Sequence, residues 1–357
     1  MGAIPACTIN AVASGVSKGD TVKVPIVPDM ETEDVVASAT PPSGNGQTFG
    51  KVEVGITKVR RAKPILWTGE DENTAKDYIN PLKRNQFVQA MRAVVNEMET
   101  DVVAEAVRGA MAEGNILGTA GTNPFVSDTK ALTATYKRLQ DNGAPLTDLQ
   151  FVMNTASGMN LRNITQLQKV NESGDDKLLR QGLLGRLYNF NLRESAGFVE
   201  NVAGAGTGYL VNGATSAGAT EVTVDTGSGA IKAGNIVTFG SDPTKYVVAE
   251  DVASGGTKIK LTRPLAADVA DNAAVTVGGS YLPNVAFSGG AIVLANRLPF
   301  VPADGDDAKD RTTITDPISG ITFELALWGG AYQNSITIAT AWGVKNIKGR
   351  HSVAILG

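Results

Sequence analysis

The side chains that carry most enzyme chemistry are scarce in this chain. There is one cysteine, Cys7, and one histidine, His351, in 357 residues. No intramolecular disulfide can form, and a Cys/His zinc site within one chain lacks ligands. Cys7 and His351 are the sole thiol–imidazole pair available for nucleophilic chemistry, and they lie at opposite ends. Carboxylates cluster in two places. Asp175 and Asp176 are adjacent, with no base or metal ligand beside them. Asp304, Asp306, Asp307 and Asp310 form an acidic loop. It departs from the calcium-loop pattern, because Gly305 comes too early and no Glu closes it, so it reads as a solvated loop. Gly44 to Lys51 has a faint look of a phosphate loop, but Asn45 stands where the first Gly belongs and Val52 follows Lys51. No Gly-x-Ser-x-Gly elbow occurs. Asn163-Ile164-Thr165 and Asn171-Glu172-Ser173 match the glycosylation sequon by chance, since no secretion signal precedes them. The expectation is a protein that is not an enzyme and holds no cofactor or metal.

Composition narrows the class further. Hydrophobic residues are 42% and charged residues 19%, the balance of a folded soluble chain with room for two or three domains. A net charge of −4 argues against a dedicated nucleic-acid binder. No apolar run approaches the ~20 residues of a membrane span. The 40 glycines suit turns, strands and close backbone contacts.

The elements that organise the chain begin with one long helix over 81–113. Pro81 suits the first helical position, Asn80 a cap before it, and Gly114 a stop. Phe87, Met91, Val94, Met98 and Val102 recur at three- and four-residue spacing and are expected to form its buried face. Val88, Val95, Val103 and Val107 widen that stripe, while Arg84, Arg92, Glu99, Asp101, Glu105 and Arg108 are assigned to the other side. At ~1.5 Å per residue such a helix spans roughly 50 Å.

Before it, Thr21 to Val27 and Val52 to Lys58 alternate as strands of a long hairpin, with a loop rich in Pro, Gly and acids between them. Asp29, Glu31, Glu33 and Asp34 make one end acidic. Lys58, Arg60, Arg61 and Lys63 make the other basic. A two-stranded arm is marginal alone in water, so these charges are candidates for contacts with a neighbouring subunit. After the long helix, Asp128–Asn142 reads as a helix, Leu149–Met153 as a buried strand and Asn154–Gln168 as a broken helix. From about Gly204 to Gly279 the chain turns into short strands with Gly, Asp and Ser turns, the pattern of a small inserted β barrel or sandwich. Ser288–Asn296 fits helix or strand. Ile321–Leu327 and Ser335–Ile347 read as long antiparallel strands joined through Trp328-Gly329-Gly330-Ala331.

This order of elements, in an α+β chain, resembles the Hong Kong 97-type major capsid fold of tailed phages. Within that fold the chain resembles the P-22-type coat protein family. The residues that carry this are Gly19-Asp20-Thr21-Val22 with Val24-Pro25, Gln47-Thr48-Phe49-Gly50, Thr57-Lys58-Val59-Arg60 and Leu66-Trp67-Thr68-Gly69-Glu70. Gln181-Gly182-Leu183-Leu184-Gly185 and Ala341-Trp342-Gly343-Val344-Lys345 extend the match. The resemblance implies an N-terminal segment (1–18), an extension loop (19–67) and a peripheral domain (68–127) containing the spine helix 81–113. It further implies an axial domain (128–206, returning at 282–300), an inserted β domain (207–281) and terminal peripheral strands (301–357). The family usually carries a helical arm ahead of the Ile4-Pro5-Ala6 region, so the arm here is expected to be short or trimmed.

The resemblance also implies a function: a structural subunit, in hexamers and pentamers, of an icosahedral head enclosing double-stranded DNA. Implied partners are other copies of the chain, scaffolding protein and portal during assembly, a decoration protein, and packaged DNA through non-specific contact, with no membrane. The implied location is the virion, assembled in the host bacterial cytoplasm. The alternative is a binding or adhesin-type protein that uses the β insert, whose aromatic side chains are Tyr209, Phe239, Tyr246 and Tyr281.

Overall fold

The computed structural model describes residues 2–26, 32, 34–35, 37, 50–75, 78–169, 185–317 and 319–357. Its longest helix, Ile79–Ala112, sits between two sheets. The expected start at Pro81 is two residues late, and Asn80 lies inside the helix; Tyr78 precedes it without a side-chain cap. At the other end Gly114 takes φ +71° and its N–H bonds to Met111 O, the left-handed stop that glycine permits.

On one side lies a sheet of seven strands built around the 14-residue strand Gln333–Asn346. Thr322–Gly330 follows one edge of that strand along its first half, and Ile292–Pro299 continues along the same edge. Lys58–Arg61 and Ile65–Thr68 occupy the opposite edge. Thr8–Val16 pairs parallel to Ile292–Pro299, and Ala308–Thr315 completes the other end. Side chains alternate across this sheet as strand geometry requires. Ile292, Leu294, Ile338 and Trp342 face the long helix, whereas Val293, Ala295 and Ala341 face a second small core. That second core is closed by the hairpin Thr21–Ile26/Gly50–Gly55, through Val22, Val24, Val54 and Ile56. The expected hairpin is therefore present, in register Thr21↔Gly55 to Ile26↔Gly50. The glycines at 329 and 330 belong to a strand. The turn is Ala331–Tyr332, with Tyr332 at φ +55° and Gly330 opposite Gln333.

On the other side of the helix lies a six-stranded sheet, in the order Ile116–Leu117, Ser352–Ile355, Asn284–Ser288, Leu149–Met153, Phe190–Glu194, Arg186–Leu187. It separates two cores. Val152, Val285, Phe287 and Ala354 point to the long helix; Phe151, Ala286, Val353 and Ile355 point to Leu132, Leu139 and Leu161 of the helices Lys130–Asp141 and Thr155–Arg162. Strand Leu149–Met153 is buried on both faces, which is why Phe151, Val152 and Met153 follow one another instead of alternating with polar residues. Ser288–Asn296 resolves into strand, split between the two sheets.

Contact with two sheets explains the breadth of the helical stripe. Val94, Met98 and Val102 are buried as expected, and so are Val95, Val103 and Val107. Phe87 and Met91 are only partly buried, and Val88 is 48% exposed, because the first turns of the helix run past the edge of the core.

Residues 207–281 form two three-stranded sheets around a separate core of Tyr209, Val211, Val222, Val224, Val237, Phe239, Tyr246, Ile259, Leu261 and Val275. The incoming and outgoing chains pair at Asn201↔Tyr281.

Candidate functional site

The basic end of the hairpin lies against the long helix of its own chain. Lys58 Nζ donates to Glu97 Oε1 and to Asp101 Oδ1, each at 2.9 Å, and Arg60 Nε reaches Glu97 Oε1 at 3.1 Å. The same Asp101 accepts Trp342 Nε1–H at 2.9 Å on its other oxygen. The Trp342 ring is fully buried, with Lys58 Nζ 5.9 Å from its centroid. Partial burial works to raise the Glu97 carboxyl. The Lys58 hydrogen bond and the Lys58 and Arg60 charges outweigh it and hold Glu97 below the usual carboxylate range. Burial likewise works to lower Lys58, but its bonds to Glu97 and Asp101 raise it above the ordinary lysine value.

The sequence-predicted contact residues thus divide. Lys58 and Arg60 are engaged within the chain. Arg61 and Lys63 are exposed and have no ion-pair partner among the described residues. Asp34 is exposed, while Asp29, Glu31 and Glu33 lie outside the described residues.

One site has no counterpart in the sequence reading. Glu99, assigned to the solvent side, is 5% exposed. Its Oε1 accepts Gly2 N–H at 2.6 Å, Ala3 N–H at 2.7 Å and Ser195 Oγ–H at 2.8 Å; Oε2 accepts Ile4 N–H at 3.0 Å. Four neutral donors satisfy a buried carboxylate and pin the N-terminal segment between the long helix and the six-stranded sheet. Its position inside the run Val95, Met98, Val102, Val103 was the available signal, since a charge there sits on the buried face.

Burial pushes the Cys7 thiol up to about 12, and its Sγ lies 3.0 Å from Ile4 O, so no thiolate forms near neutral pH. Asp306 of the acidic loop and Glu324 of strand Thr322–Gly330 both pair with Arg311. Asp304 and Asp307 point to solvent. Asp175 and Asp176 lie outside the described residues. Among the described residues no His, Cys, Asp and Glu gather into a metal-binding group, and no helix is long and apolar enough to cross a membrane.

The β insert meets the far end of the long helix. Ile236 and Val247 turn away from the insert's own core and join the main one, with Tyr281 beside them. Tyr281 Oη donates to Gly234 O at 2.8 Å, and burial raises its phenol to about 12. Arg263 stacks on the Tyr246 ring at 4.8 Å, and Lys245 Nζ donates to Gly118 O.

No family model matches the chain, and no curated protein matches it. Solved structures do. The capsid structure of the cyanophage P-SCSP1u is similar at a TM-score of 0.52 and 11% identity, over 98% of this chain and 86% of that one. A chain from Mycobacterium phage Che8 has a TM-score of 0.46 and 13% identity, over 95% of this chain and 85% of that one. A chain from Gordonia phage Cozz has a TM-score of 0.45 and 9% identity, over 99% and 85%. With its hairpin, long helix, flanking sheets and inserted β unit, the chain has the Hong Kong 97-type capsid fold.

Proposed function

We propose that this chain is the major capsid protein of a tailed phage, the repeating structural subunit of its icosahedral head. The observation that carries this reading is the fold, matched over 98% of the chain by a cyanophage capsid structure. The physics agrees. A shell subunit needs broad sheets, an arm and edges for neighbours, and no reactive centre. Among the described residues, the Cys7 thiol is held protonated, Asp306 is paired with Arg311, and Asp304 and Asp307 are solvated. On this reading, copies associate head-to-tail into hexamers and pentamers, contacts of the heterologous kind that close into rings, and the closed shell encloses double-stranded DNA. The domain division follows: 19–67 as extension loop, 68–127 and 301–357 as peripheral domain, 128–206 and 282–300 as axial domain, 207–281 as insert.

The insert serves to steady the parent fold and sits on the outer face, where it does not compete with packaged DNA for volume. An adhesin role gains no support, because Tyr209, Phe239, Tyr246 and Tyr281 are all buried. Scaffolding protein and portal act during assembly in the host cytoplasm, and a decoration protein is a further partner. Electron microscopy of the purified chain tests the reading: closed shells or capsomer rings are expected, and a monodisperse monomer at every concentration overturns it. A density map with the insert on the inner face overturns its placement.

A further inference from the structure

The first half of the long helix stands apart from the rest in charge and in covering. From Ile79 to Asn96 it carries Lys83, Arg84 and Arg92 and no acidic residue. Beside it runs a groove of about 660 Å³, lined by Ala62, Lys63, Pro64, Leu66, Leu82 and Ala90 among others. Leu66 and Leu82 are 52% and 45% exposed, so apolar surface on both walls meets water. One lining residue, Lys63, is a cation, and the exposed Arg61 stands one residue before the lining residue Ala62. Neither cation has an ion-pair partner among the described residues.

A surface of the opposite character lies elsewhere on the molecule. Phe300 is 64% exposed, a large aromatic ring that rests against Gly15 and otherwise faces water. Four and seven residues beyond it, Asp304 and Asp307 are exposed, and neither forms an ion pair among the described residues. The two surfaces lie on opposite sides of one strand. The groove follows strands Lys58–Arg61 and Ile65–Thr68, along one edge of strand Gln333–Asn346. Phe300 leaves from Ile292–Pro299, along the opposite edge.

We propose that segment 300–307 of one copy docks in the groove beside the first half of the long helix of a second copy. Phe300 fills the apolar floor, and Asp304 and Asp307 meet Arg61 and Lys63 at the rim. The proposal rests on the capsid reading and assigns it a residue-level contact. An exposed aromatic anchor entering an apolar groove, ringed by complementary charge, is the arrangement that concentrates binding energy and sets register. Because the two surfaces differ, the contact is heterologous and propagates from copy to copy.

A charge-reversal cycle on the full chain tests it. Arg61→Glu with Lys63→Glu, and separately Asp304→Lys with Asp307→Lys, should each raise the concentration needed for assembly by about tenfold or more. Circular dichroism should show both variants folded, since all four side chains are exposed. All four reversals in one chain should bring assembly back to within about twofold of the original. Sedimentation and electron microscopy read the result. One-sided variants that assemble like the original overturn the contact, as does a fourfold variant that fails to recover; in either case the capsid reading stands if the original forms shells. Failure of the original chain to assemble at any concentration overturns both.

Discussion

Trp342 and Asp101 are joined by a 2.9 Å hydrogen bond between indole and carboxylate, although 241 positions separate them. The bond ties the central strand of the seven-stranded sheet to the long helix. The second oxygen of Asp101 holds Lys58, so one carboxylate fixes sheet, helix and hairpin base together. Trp342 is fully buried, and without Asp101 its N–H would have to find another acceptor there.

The Lys58–Glu97 pair makes stability pH-dependent in a defined direction. Glu97 is depressed in the folded chain, so its contribution is complete above the unfolded value of about 4.3 and is lost as pH falls through the folded value. Lys58 is raised, so its contribution is complete below about 10.4 and lost only as pH rises through its folded value. The partners are about a third exposed, and screening limits the pair to ~1 kcal/mol or less. Melting curves of Glu97→Gln and the original chain should differ at pH 7 and converge only once pH has fallen below the depressed folded value of Glu97. A gap that persists at low pH would assign the effect to packing.

Glu99→Ala should leave three amides and one hydroxyl without their acceptor, at about 1–3 kcal/mol for each group that stays buried. Glu99→Gln should lose less. Its carbonyl can replace Oε1, which takes three donors, and its NH₂ then opposes only Ile4 N–H. Hydrogen exchange over residues 2–7 should rank original slowest, Gln next and Ala fastest.

Val102 is fully buried between the two sheets. Val102→Asp places an unpaired carboxylate there, at a cost of about 3–5 kcal/mol. The expected result is insoluble protein or a melting point lowered by many degrees. A soluble variant that melts like the original would show that this face tolerates water.

Gly343 lies where the hairpin base crosses the sheet. A Cβ there would stand 1.9 Å from Gly55 O and 2.8 Å from Gly55 C, backbone atoms that cannot step aside singly. Gly343→Ala should lift the hairpin base from the sheet, destabilise the chain by about 1–3 kcal/mol and speed proteolysis near Gly55. Unchanged cleavage and melting would mean that the two backbones separate at little cost.

The excised segment 207–281 should fold alone, with a cooperative β transition by circular dichroism, because its core is its own. Release also uncovers Ile236 and Val247, so the free segment should melt lower than the intact chain and self-associate at high concentration. A random-coil spectrum would make its strands dependent on the parent.

Periodicity carried much of this architecture into view. Val94, Met98 and Val102 follow the helical repeat, and Val22, Val24, Val52 and Val54 follow the strand repeat, so local spacing suffices to place them. Contacts across long separations were not legible in that way. Nothing near Glu99 announces three amides from 95 to 97 positions away, and nothing near Lys58 announces Glu97. The basic cluster therefore reads as uniform in the sequence, while the fold divides it into two members held internally and two without an ion-pair partner among the described residues. The turn at Tyr332 escaped notice because the adjacent glycines were the stronger local signal for a bend.

The 14-residue strand Gln333–Asn346, bonded along both edges, has a mechanical meaning. Tension directed along it loads its backbone ladder in shear, and many hydrogen bonds must yield at once. Tension that draws the two strands apart at the end where Ile26 meets Gly50 acts differently: it peels Ile26 from Gly50, then Pro25 from Lys51, one pair at a time. The molecule is thus stiff along one axis and compliant at one arm, so a pull on both at once would open the arm before the sheet deforms.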